Sequence, residues 1–466
     1  MGLRRWQGEC VQAALRKFQT GQKHFFCLAS PGSGKTLMAA EVTARMLDAN
    51  QIDLVIAFSP SLVVAEGIRS TFESRLSRRM DGLLGAVGRS LTYHSMSHLP
   101  DNFWSIIRNH RTLVIFDEIH HCAGNELANT NSWGATILLQ IQDQAAYTLA
   151  LSGTPWRSDR LPVSLAKYHD DSNQVAYDYC YGMGQAVEDQ VCRAPHIVLV
   201  DNLHITCGNP TASKQYSGID ALLEDKALSY QALLNDPKFV GYVLEQGHKK
   251  LQELKQVNKE AAGLVVASSI AHATYIHHWL ATNVSSKIAI VDHSQPNAKR
   301  IIEQFRKGEG EWIVSVGMIS EGTDIPRLQV CCHLSRIRTE MYFRQVLGRV
   351  IRRTSAPNQS AWLFAANTAN LATFSKALRT EIPRATLQTV HTDEMLAEDK
   401  EYDLQIPHSR KRITSNNPVD SIDANYIMKL CSATKAGDSD DRELVLSENF
   451  TKQLINCFQS PLYRSA

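Results

Sequence analysis

Short apolar runs alternate with longer amphipathic stretches up to about residue 380. The first set of strand-like runs covers residues 25–29, 53–58, 112–116 and 147–151. A second set covers residues 263–267, 287–291, 312–316, 329–334 and 361–365. Continuous apolar runs that alternate with helical patterns are typical of buried parallel strands joined by crossover helices. The pattern therefore predicts an α/β fold with two parallel sheets.

The same pattern divides the chain into four parts. They are a first sheet domain at 1–200, a connector at 201–258, a second sheet domain at 259–380 and a C-terminal extension at 381–466. The apolar run at 197–200 is predicted to end the first domain. Within the extension, short helices are predicted at 422–433 and 444–458, so we expect this part to be small and mostly helical. We expect a cleft between the two sheet domains.

A glycine-rich turn joins the first strand to the helix that follows it, over residues 29–36. The turn consists of Gly32, Ser33 and Gly34. Such a turn aims backbone N–H groups at an anion, and the helix dipole adds to the attraction. Lys35 is then placed to reach the β- and γ-phosphates of a nucleotide, and the Thr36 hydroxyl to hold Mg²⁺. The strict pattern begins with glycine, where this chain has Ala29, and a turn without a ligand is the alternative.

Two adjacent carboxylates, Asp117 and Glu118, follow the apolar run at 112–116. The carboxyl end of a parallel strand is where open α/β sheets bind their ligands. Asp117 fits the residue that holds Mg²⁺, and Glu118 fits the one that orients the attacking water. An isolated pair of this kind is more often an ordinary loop. The phosphate-binding turn upstream favours the hydrolytic interpretation.

Two arginines, Arg349 and Arg352, stand three residues apart near the end of the second sheet domain. This spacing puts both on one face of a helix. Arginine keeps its charge and binds phosphate oxygens with a forked guanidinium. The pair therefore predicts arginine fingers that face a triphosphate from another domain. A basic helix end on the surface is the alternative.

In this order the segments resemble those of superfamily 2 helicases of the DEAH-like kind, over roughly residues 3–370. The similar segments are 3–7 (adenine-reading glutamine motif), 29–36 (motif I), 58–62 (motif Ia), 91–95 (the next strand-contacting motif), 117–120 (motif II), 151–157 (motif III), 265–269 (motif IV), 320–326 (motif V) and 345–352 (motif VI). Motifs III and V look most like the branch of type III restriction subunits and XPB-like repair helicases. The DEAD-box pattern of RNA helicases is absent, because its Ala-Asp is here Ile119 and His120.

The resemblance implies two tandem RecA-like domains and assigns roles to individual residues. The implied catalytic residues are Lys35, Glu118, Gln345, Arg349 and Arg352. Those implied to bind the nucleotide are Gln7, Gly32, Ser33, Gly34, Lys35, Thr36, Gly322 and Asp324, with Thr36 and Asp117 holding the metal. Those implied to contact nucleic acid are Pro60, Thr92, Ser268 and Thr323.

The function implied by the resemblance is an ATP-dependent helicase or translocase that needs ATP and Mg²⁺. Its partner is nucleic acid, with DNA favoured over RNA because members of that branch mostly act on DNA. Repair, restriction and phage (antiviral) defence are the expected settings, where a partner protein supplies nuclease or other effector activity. The alternatives are an RNA helicase, a double-strand translocase and an ATP-gated nucleic-acid clamp.

The composition is that of a globular protein of 466 residues with 44% hydrophobic and 21% charged residues. Net charge is only +2, so nucleic acid has to be bound by local patches. The candidate patch is Arg69, Arg75, Arg78, Arg79, Arg89, Arg108 and Arg111, and a solvated helix face is the alternative.

Cysteine and histidine spacing gives no sign of a metal or disulfide framework. None of the ten cysteines forms a Cys-x-x-Cys pair. His272, His277 and His278 are expected on a helix surface rather than around a metal. Neither a membrane-spanning run nor a signal peptide is recognisable, so we expect a cytoplasmic protein without membrane contact.

Overall fold

The structure is a computed structural model that describes residues 2–378 and 443–456, except 125, 127–128, 155–156, 158–160, 170–174, 210–211, 285–286, 320–322 and 357–359. Its first elements are α1 (Arg5–Gln19), β1 (His24–Ala29), α2 (Lys35–Asp48), β2 (Leu54–Ser59), α3 (Leu62–Leu76), β3 (Gly88–Thr92), α4 (Asp101–Asn109), β4 (Thr112–Asp117), α5 (Ser132–Gln140), β5 (Tyr147–Ser152), β6 (Lys167–Tyr168), β7 (Val175–Ala176), β8 (Tyr179–Tyr181) and α6 (Met183–Glu188).

The remaining elements begin with a long strand and end with two strands of the extension. They are β9 (Ala194–Asn202), β10 (Ile205–Asn209), β11 (Ala212–Tyr216), α7 (Ile219–Glu224), α8 (Tyr230–Leu234), α9 (Pro237–Lys255), β12 (Ala262–Ala267), α10 (Ile270–Val284), β13 (Ile288–Val291), α11 (Ala298–Arg306), β14 (Trp312–Ser315), β15 (Leu328–Leu334), α12 (Glu340–Val350), β16 (Ser360–Ala366), α13 (Ala369–Ala377), β17 (Glu443–Leu446) and β18 (Phe450–Asn456).

The first sheet has the strand order β3-β2-β4-β5-β1-β8, and its strands are parallel. The four predicted apolar runs are β1, β2, β4 and β5. These strands are almost wholly buried because helices cover both faces, as expected for a parallel sheet. The edge strand β3 was harder to see because Arg89 and Ser90 interrupt its apolar positions.

The second sheet has the order β13-β14-β12-β15-β16-β9-β18, and all of its pairs are parallel except that of β18 with β9, which confirms the predicted α/β class. The apolar run at 197–200 lies within β9, and β9 pairs in parallel with β16 from Ala194 to Val200. The run that we assigned to the first domain is therefore a strand of the second sheet. An apolar run indicates burial, but only the hydrogen-bonding neighbour decides which sheet buries it.

The predicted helix at 444–458 is wrong, because β17 and β18 occupy this stretch. β17 pairs antiparallel with β10, and β18 pairs antiparallel with β9 at the edge of the second sheet. In β17 the buried Leu446 and the half-exposed Val445 alternate, which is the period of a strand. The predicted helix at 422–433 lies outside the described residues.

The connector is packed firmly against the second sheet. Along α9, Phe239, Val243, Leu244 and Leu251 are buried on one face and join the core of that sheet. Each such side chain contributes roughly 1.5–3 kcal/mol of apolar burial. Residues 237–255 are thus part of the core of the second sheet, and the predicted connector boundaries at 201 and 258 stay predictions.

Candidate active site

The phosphate-binding turn lies between the end of β1 and the start of α2. Gly32 and Gly34 have φ angles of 78° and 96°, which glycine adopts without steric cost. This backbone conformation lets the N–H groups of the turn point toward an anion bound at the N-terminus of α2. Among the described residues, the buried Ser33 hydroxyl has no hydrogen-bond partner. These features fit the oxygens of a phosphate chain.

The start of α1 is attached to this turn through Gln7, which is buried. Its Nε2 donates to the Gly34 carbonyl at 2.9 Å, and its Oε1 accepts from the Arg4 backbone N–H at 2.8 Å. The Arg4 guanidinium also donates to the Ser33 carbonyl at 2.5 Å. The structure thus brings the predicted Gln7 to the turn. The contact of Arg4 with the turn was not predicted, although Arg4 stands three residues before Gln7 in the segment that resembles the glutamine motif.

Lys35 and Glu118 form an ion pair in the floor of the site. Nζ of Lys35 lies 3.0 Å from Oε1 of Glu118 and donates to the Ala29 carbonyl at 3.2 Å. Glu118 has φ 54°, a left-handed conformation that costs a non-glycine residue of order 1–3 kcal/mol. Its second oxygen accepts from the Gly153 N–H at 3.1 Å. The strained backbone is therefore offset by contacts that fix the carboxylate beside the lysine.

The two adjacent carboxylates differ in pKa. Burial raises the pKa of Asp117 to about 7, and the charge of Glu118 acts in the same direction. Burial also opposes ionisation of Glu118, but the Lys35 ammonium, His120 and the Gly153 N–H hold its pKa at about 2. Glu118 is thus ready to accept hydrogen bonds from water. A divalent cation beside Asp117 would supply the missing positive charge, so this pair fits the predicted Mg²⁺ position.

Beyond the carboxylates, a polar network leads from His120 to the end of β5. Nδ1 of His120 lies 3.0 Å from the Ser152 hydroxyl and 3.4 Å from the Thr154 hydroxyl. Arg157 donates to the His120 carbonyl at 2.6 Å. Any shift of the carboxylate loop would disturb these short contacts. The network therefore links motif II to motif III within the first sheet domain.

The end of α12 lies directly against the phosphate-binding turn. A Cβ atom on Gly32 would lie 3.1 Å from Cγ of Arg352, and one on Gly348 would lie 2.7 Å from Cβ of Pro31. Glycine at 348 is what allows this close approach. Arg352 forms an ion pair with Asp324, and Arg349 donates to the Thr323 carbonyl at 2.9 Å. Both predicted arginines thus reach the cleft beside motif V.

Arg193 connects the segment after motif V to the end of α12, and the sequence analysis did not identify it. Its guanidinium is fully buried and donates to the carbonyls of Pro326, Leu328 and Val350 at 2.9, 2.5 and 3.0 Å. Burial, together with the charge of Arg353, lowers the pKa of Arg193 to about 9. It therefore ties the segment after motif V to the end of α12. No local pattern around Arg193 indicated this role.

Other predicted site residues occupy separate places. Thr36 lies in the first turn of α2, and Gln345 is half-buried in α12 one turn before Gly348. Pro60 directly follows β2, and Thr92 is the last residue of β3. Because β2 and β3 pair in parallel, both residues lie at the same edge of the sheet. Gly322 lies outside the described residues.

The predicted basic patch is largely neutralised. Four of its seven arginines pair with carboxylates, namely Arg69 with Glu73, Arg75 with Glu41, Arg79 with Asp81 and Arg111 with Asp53. The alternative of a solvated, ion-paired surface therefore describes most of this patch.

Two further predictions concern histidine and membrane contact. His272 is buried beside Ser268, contrary to the predicted helix surface, because its ring nitrogen accepts from the Ser268 backbone at 3.2 Å. No described helix is both long and apolar enough to cross a membrane.

Comparisons with known proteins agree with the two-part architecture. Residues 1–157 match the family described as type III restriction enzyme, res subunit, and residues 248–354 match the helicase conserved C-terminal domain. An uncharacterized protein of Mycobacterium tuberculosis is 27% identical over 400 residues, which are 81% of this chain and 64% of that protein. The chain thus spans about 64% of the length of the curated relatives it matches first.

Two more distant proteins are similar over most of the chain. The DNA 3'-5' translocase XPB2 of Sulfurisphaera tokodaii is 22% identical over 386 residues, which are 75% of this chain and 79% of that protein. A fragment of a putative HsdR subunit of a type I restriction enzyme from Vibrio vulnificus has a TM-score of 0.56 at 14% identity, covering 80% of this chain and 65% of the fragment. The latter likeness shows the fold.

Two RecA-like parallel sheets with a phosphate-binding turn facing arginines from the second sheet define the helicase class of motor proteins. In the order of its two family matches and in its similarity to XPB2, the chain resembles superfamily 2 helicases of the branch that contains the type III restriction subunits and the XPB-like helicases.

Proposed function

We propose that the protein hydrolyses ATP and uses the cycle to move along nucleic acid or to separate its strands, on DNA in preference to RNA. One observation carries the proposal: Arg352 of the second sheet domain lies against Gly32 of the phosphate-binding turn. A triphosphate on that turn would be contacted by both domains. Its hydrolysis would therefore change the contact between the domains, which is the requirement for a motor.

The chain's own groups account for the steps of hydrolysis. Lys35 would exchange its contact with Glu118 for the β- and γ-phosphates. The ionised Glu118 would then orient the attacking water. Mg²⁺, held by Thr36 and Asp117, would neutralise charge on the phosphate oxygens. Arg352 would leave Asp324 for the γ-phosphate, so its charge acts mainly in the transition state.

Nucleic acid is proposed to run along the carboxyl edges of both sheets. Pro60 and Thr92 lie on the edge of the first sheet, and Ser268 and Thr323 follow β12 and β14 of the second. A cleft of about 300 Å³ beside Thr92 is lined by Arg89 and other residues of β3 and α3. Contacts to phosphate and sugar should dominate, so the expected sequence preference is weak.

The preference for DNA is supported by the branch to which the motifs belong and by the Sulfurisphaera tokodaii relative, which is named as a DNA translocase. An RNA helicase and an ATP-gated clamp that serves an effector protein are the competing proposals. A strand-displacement assay beside a triplex-displacement assay distinguishes unwinding from translocation alone. Steady ATP turnover excludes the clamp. A role in restriction, repair or antiviral defence, with a partner that carries nuclease activity, remains part of the proposal.

Replacement of Glu118 by glutamine should leave ATP binding intact but slow turnover by about 10²-fold, since general-base groups contribute roughly 10²–10⁴-fold. The amide keeps the shape of the side chain and loses the proton-accepting charge. The measurement is kcat with saturating DNA beside the ATP dissociation constant. Glu188→Gln, at the end of α6, is the matched control. If Glu118→Gln loses as much ATP affinity as Lys35→Ala does, this role for Glu118 is contradicted.

DNA should stimulate the ATPase more than RNA of the same length and sequence. Because binding releases counterions from the phosphates, the affinity should fall steeply as salt rises. The measurement is the initial rate of ATP hydrolysis against oligonucleotide concentration at two or more salt concentrations. Equal or greater stimulation by single-stranded RNA would replace the DNA proposal with the RNA-helicase alternative.

A further inference from the structure

Three neighbouring strands of the second sheet end at the same edge. β14, β12 and β15 are adjacent in the strand order, and their chains continue toward Thr323, Ser268 and Arg338. Adjacent strands are roughly 4.8 Å apart, so this edge spans about 10 Å. Only the first two of these residues were expected to contact nucleic acid. Arg338 lies in the loop between β15 and α12 and belongs to no motif.

The hydroxyl of Ser268 is already engaged inside the protein. It lies 2.8 Å from Nδ1 of His272, and it accepts from Nε2 of Gln231 at 3.0 Å. Burial lowers the pKa of His272 to about 4, so the ring is neutral near pH 7. Nδ1 also accepts from the Ser268 backbone N–H, so the Ser268 hydroxyl has to donate to this nitrogen. Ser268 therefore has no proton left for a phosphate oxygen.

Arg338 has the donors that Ser268 lacks. Its guanidinium lies over the ring of Tyr230 at 4.5 Å from the ring centre, a cation–π contact. Among the described residues, no carboxylate forms a salt bridge with it. A cation–π contact uses the charge of the guanidinium and leaves its N–H groups able to donate hydrogen bonds. Such an arrangement suits a phosphate oxygen.

Tyr230 is supplied by the connector. It begins α8, is buried to more than nine-tenths, and its hydroxyl has no hydrogen-bond partner among the described residues. The next residue, Gln231, is the one that contacts Ser268. Two adjacent residues of the connector thus contact Arg338 and Ser268 at this edge.

We propose that Arg338, held in place by the ring of Tyr230, binds a phosphate of the nucleic-acid backbone beside motif IV. This site rests on the proposed function. It extends that function by making the connector part of the nucleic-acid path. It takes any sugar-phosphate backbone, because a guanidinium on a phosphate reads no base. Arg338 precedes α12, and Gly348, which contacts Pro31 of the phosphate-binding turn, is ten residues further on, about 15 Å along a helix, so we expect Arg338 to take no part in ATP hydrolysis itself.

The test is binding of a fluorescent single-stranded DNA oligonucleotide to the full chain, with and without the substitution Arg338→Ala. Loss of one charge-assisted contact should weaken binding about tenfold at low salt. The slope of log affinity against log salt should become shallower by about 0.7, the value for one phosphate contact on a single strand. ATP turnover without nucleic acid should be unchanged.

Lys250→Ala is the matched control. Lys250 makes a cation–π contact with Trp362 at 4.2 Å on the same sheet, but near the start of β16, at the opposite end of the strands. The substitution removes one positive charge, which is paired with Glu253, and one cation–π contact away from the proposed path, so it should leave both the affinity and the salt slope as they are.

Variants of the ring separate binding from stability. Tyr230→Phe keeps the ring and should bind DNA like the unaltered protein, whereas Tyr230→Leu should weaken binding nearly as much as Arg338→Ala. If both Tyr230→Leu and Arg338→Ala lower only the melting temperature and bind DNA normally, the contact is structural and the assignment is overturned. If the unaltered protein binds neither DNA nor RNA, the proposed function itself fails and takes this assignment with it.

Discussion

Lys35→Ala is expected to abolish ATP hydrolysis and to weaken nucleotide binding while the fold survives. Lys35 begins α2 at the turn, and its ammonium lies 3.0 Å from Glu118 at the position where phosphate oxygens would enter. Without it, neither the negative charge of the triphosphate nor that of Glu118 is balanced. Burial already opposes ionisation of Glu118, so loss of Lys35 should raise the pKa of that carboxyl. Binding and catalysis should fail together.

The measurement is ATP turnover together with binding of a fluorescent nucleotide, and the melting temperature reports on the fold. Lys23→Ala is the matched control, since Lys23 is exposed just before β1 and carries the same charge. Turnover near that of the unaltered protein in Lys35→Ala would remove the phosphate-binding assignment of residues 29–36.

Arg352→Ala is expected to slow ATP hydrolysis by roughly 10³-fold, the lower end for loss of an arginine finger. The affinity for ATP should hardly change, since Arg352 is paired with Asp324 before the nucleotide binds. Its contact with the γ-phosphate would form only when Arg352 leaves Asp324. Loss of an interaction made in the transition state lowers kcat more than it raises KM. Arg349→Ala should have a similar or slightly milder effect.

The decisive measurement is kcat with and without saturating DNA. Arg353→Ala is the matched control, because Arg353 is the next residue and donates to Gln190 rather than facing the turn. An unchanged basal kcat in Arg352→Ala would show that this arginine is a surface charge or a plain DNA contact. The ion pair offers a second check. Asp324→Asn should release Arg352 from its resting partner without removing the guanidinium.

Local patterns were sufficient for those parts of the site that a single segment builds. The turn at 29–36 and the carboxylates after β4 each follow a buried strand, so their positions at a sheet edge could be predicted from the apolar runs. The contact between Gly348 and Pro31 could not be predicted in this way. It depends on how two sheets approach each other, and no spacing along the chain records that distance.

Long-range pairing explains what sequence reasoning missed. The run in β9 was recognised as a strand, but its pairing with β16 depends on a residue register more than 150 positions away. Arg193 was overlooked for the same reason. Its structural role depends on hydrogen bonds to the carbonyls of Pro326, Leu328 and Val350, none of which is near Arg193 in the sequence. The extension was misread as helical because β17 is short and β18 is mostly polar, so neither forms a continuous apolar run.

The location of β18 also sets an order of events during synthesis. β8, the last strand of the first sheet to be made, ends at Tyr181, so that sheet can be complete early, as N-terminal domains usually are. β9 is made next, yet its outer neighbour β18 ends only at Asn456. Until that residue leaves the ribosome, the outer edge of β9 presents unpaired N–H and C=O groups that another chain could pair with. The outer edge of β9 is therefore covered only after the C-terminal strand β18 has been made.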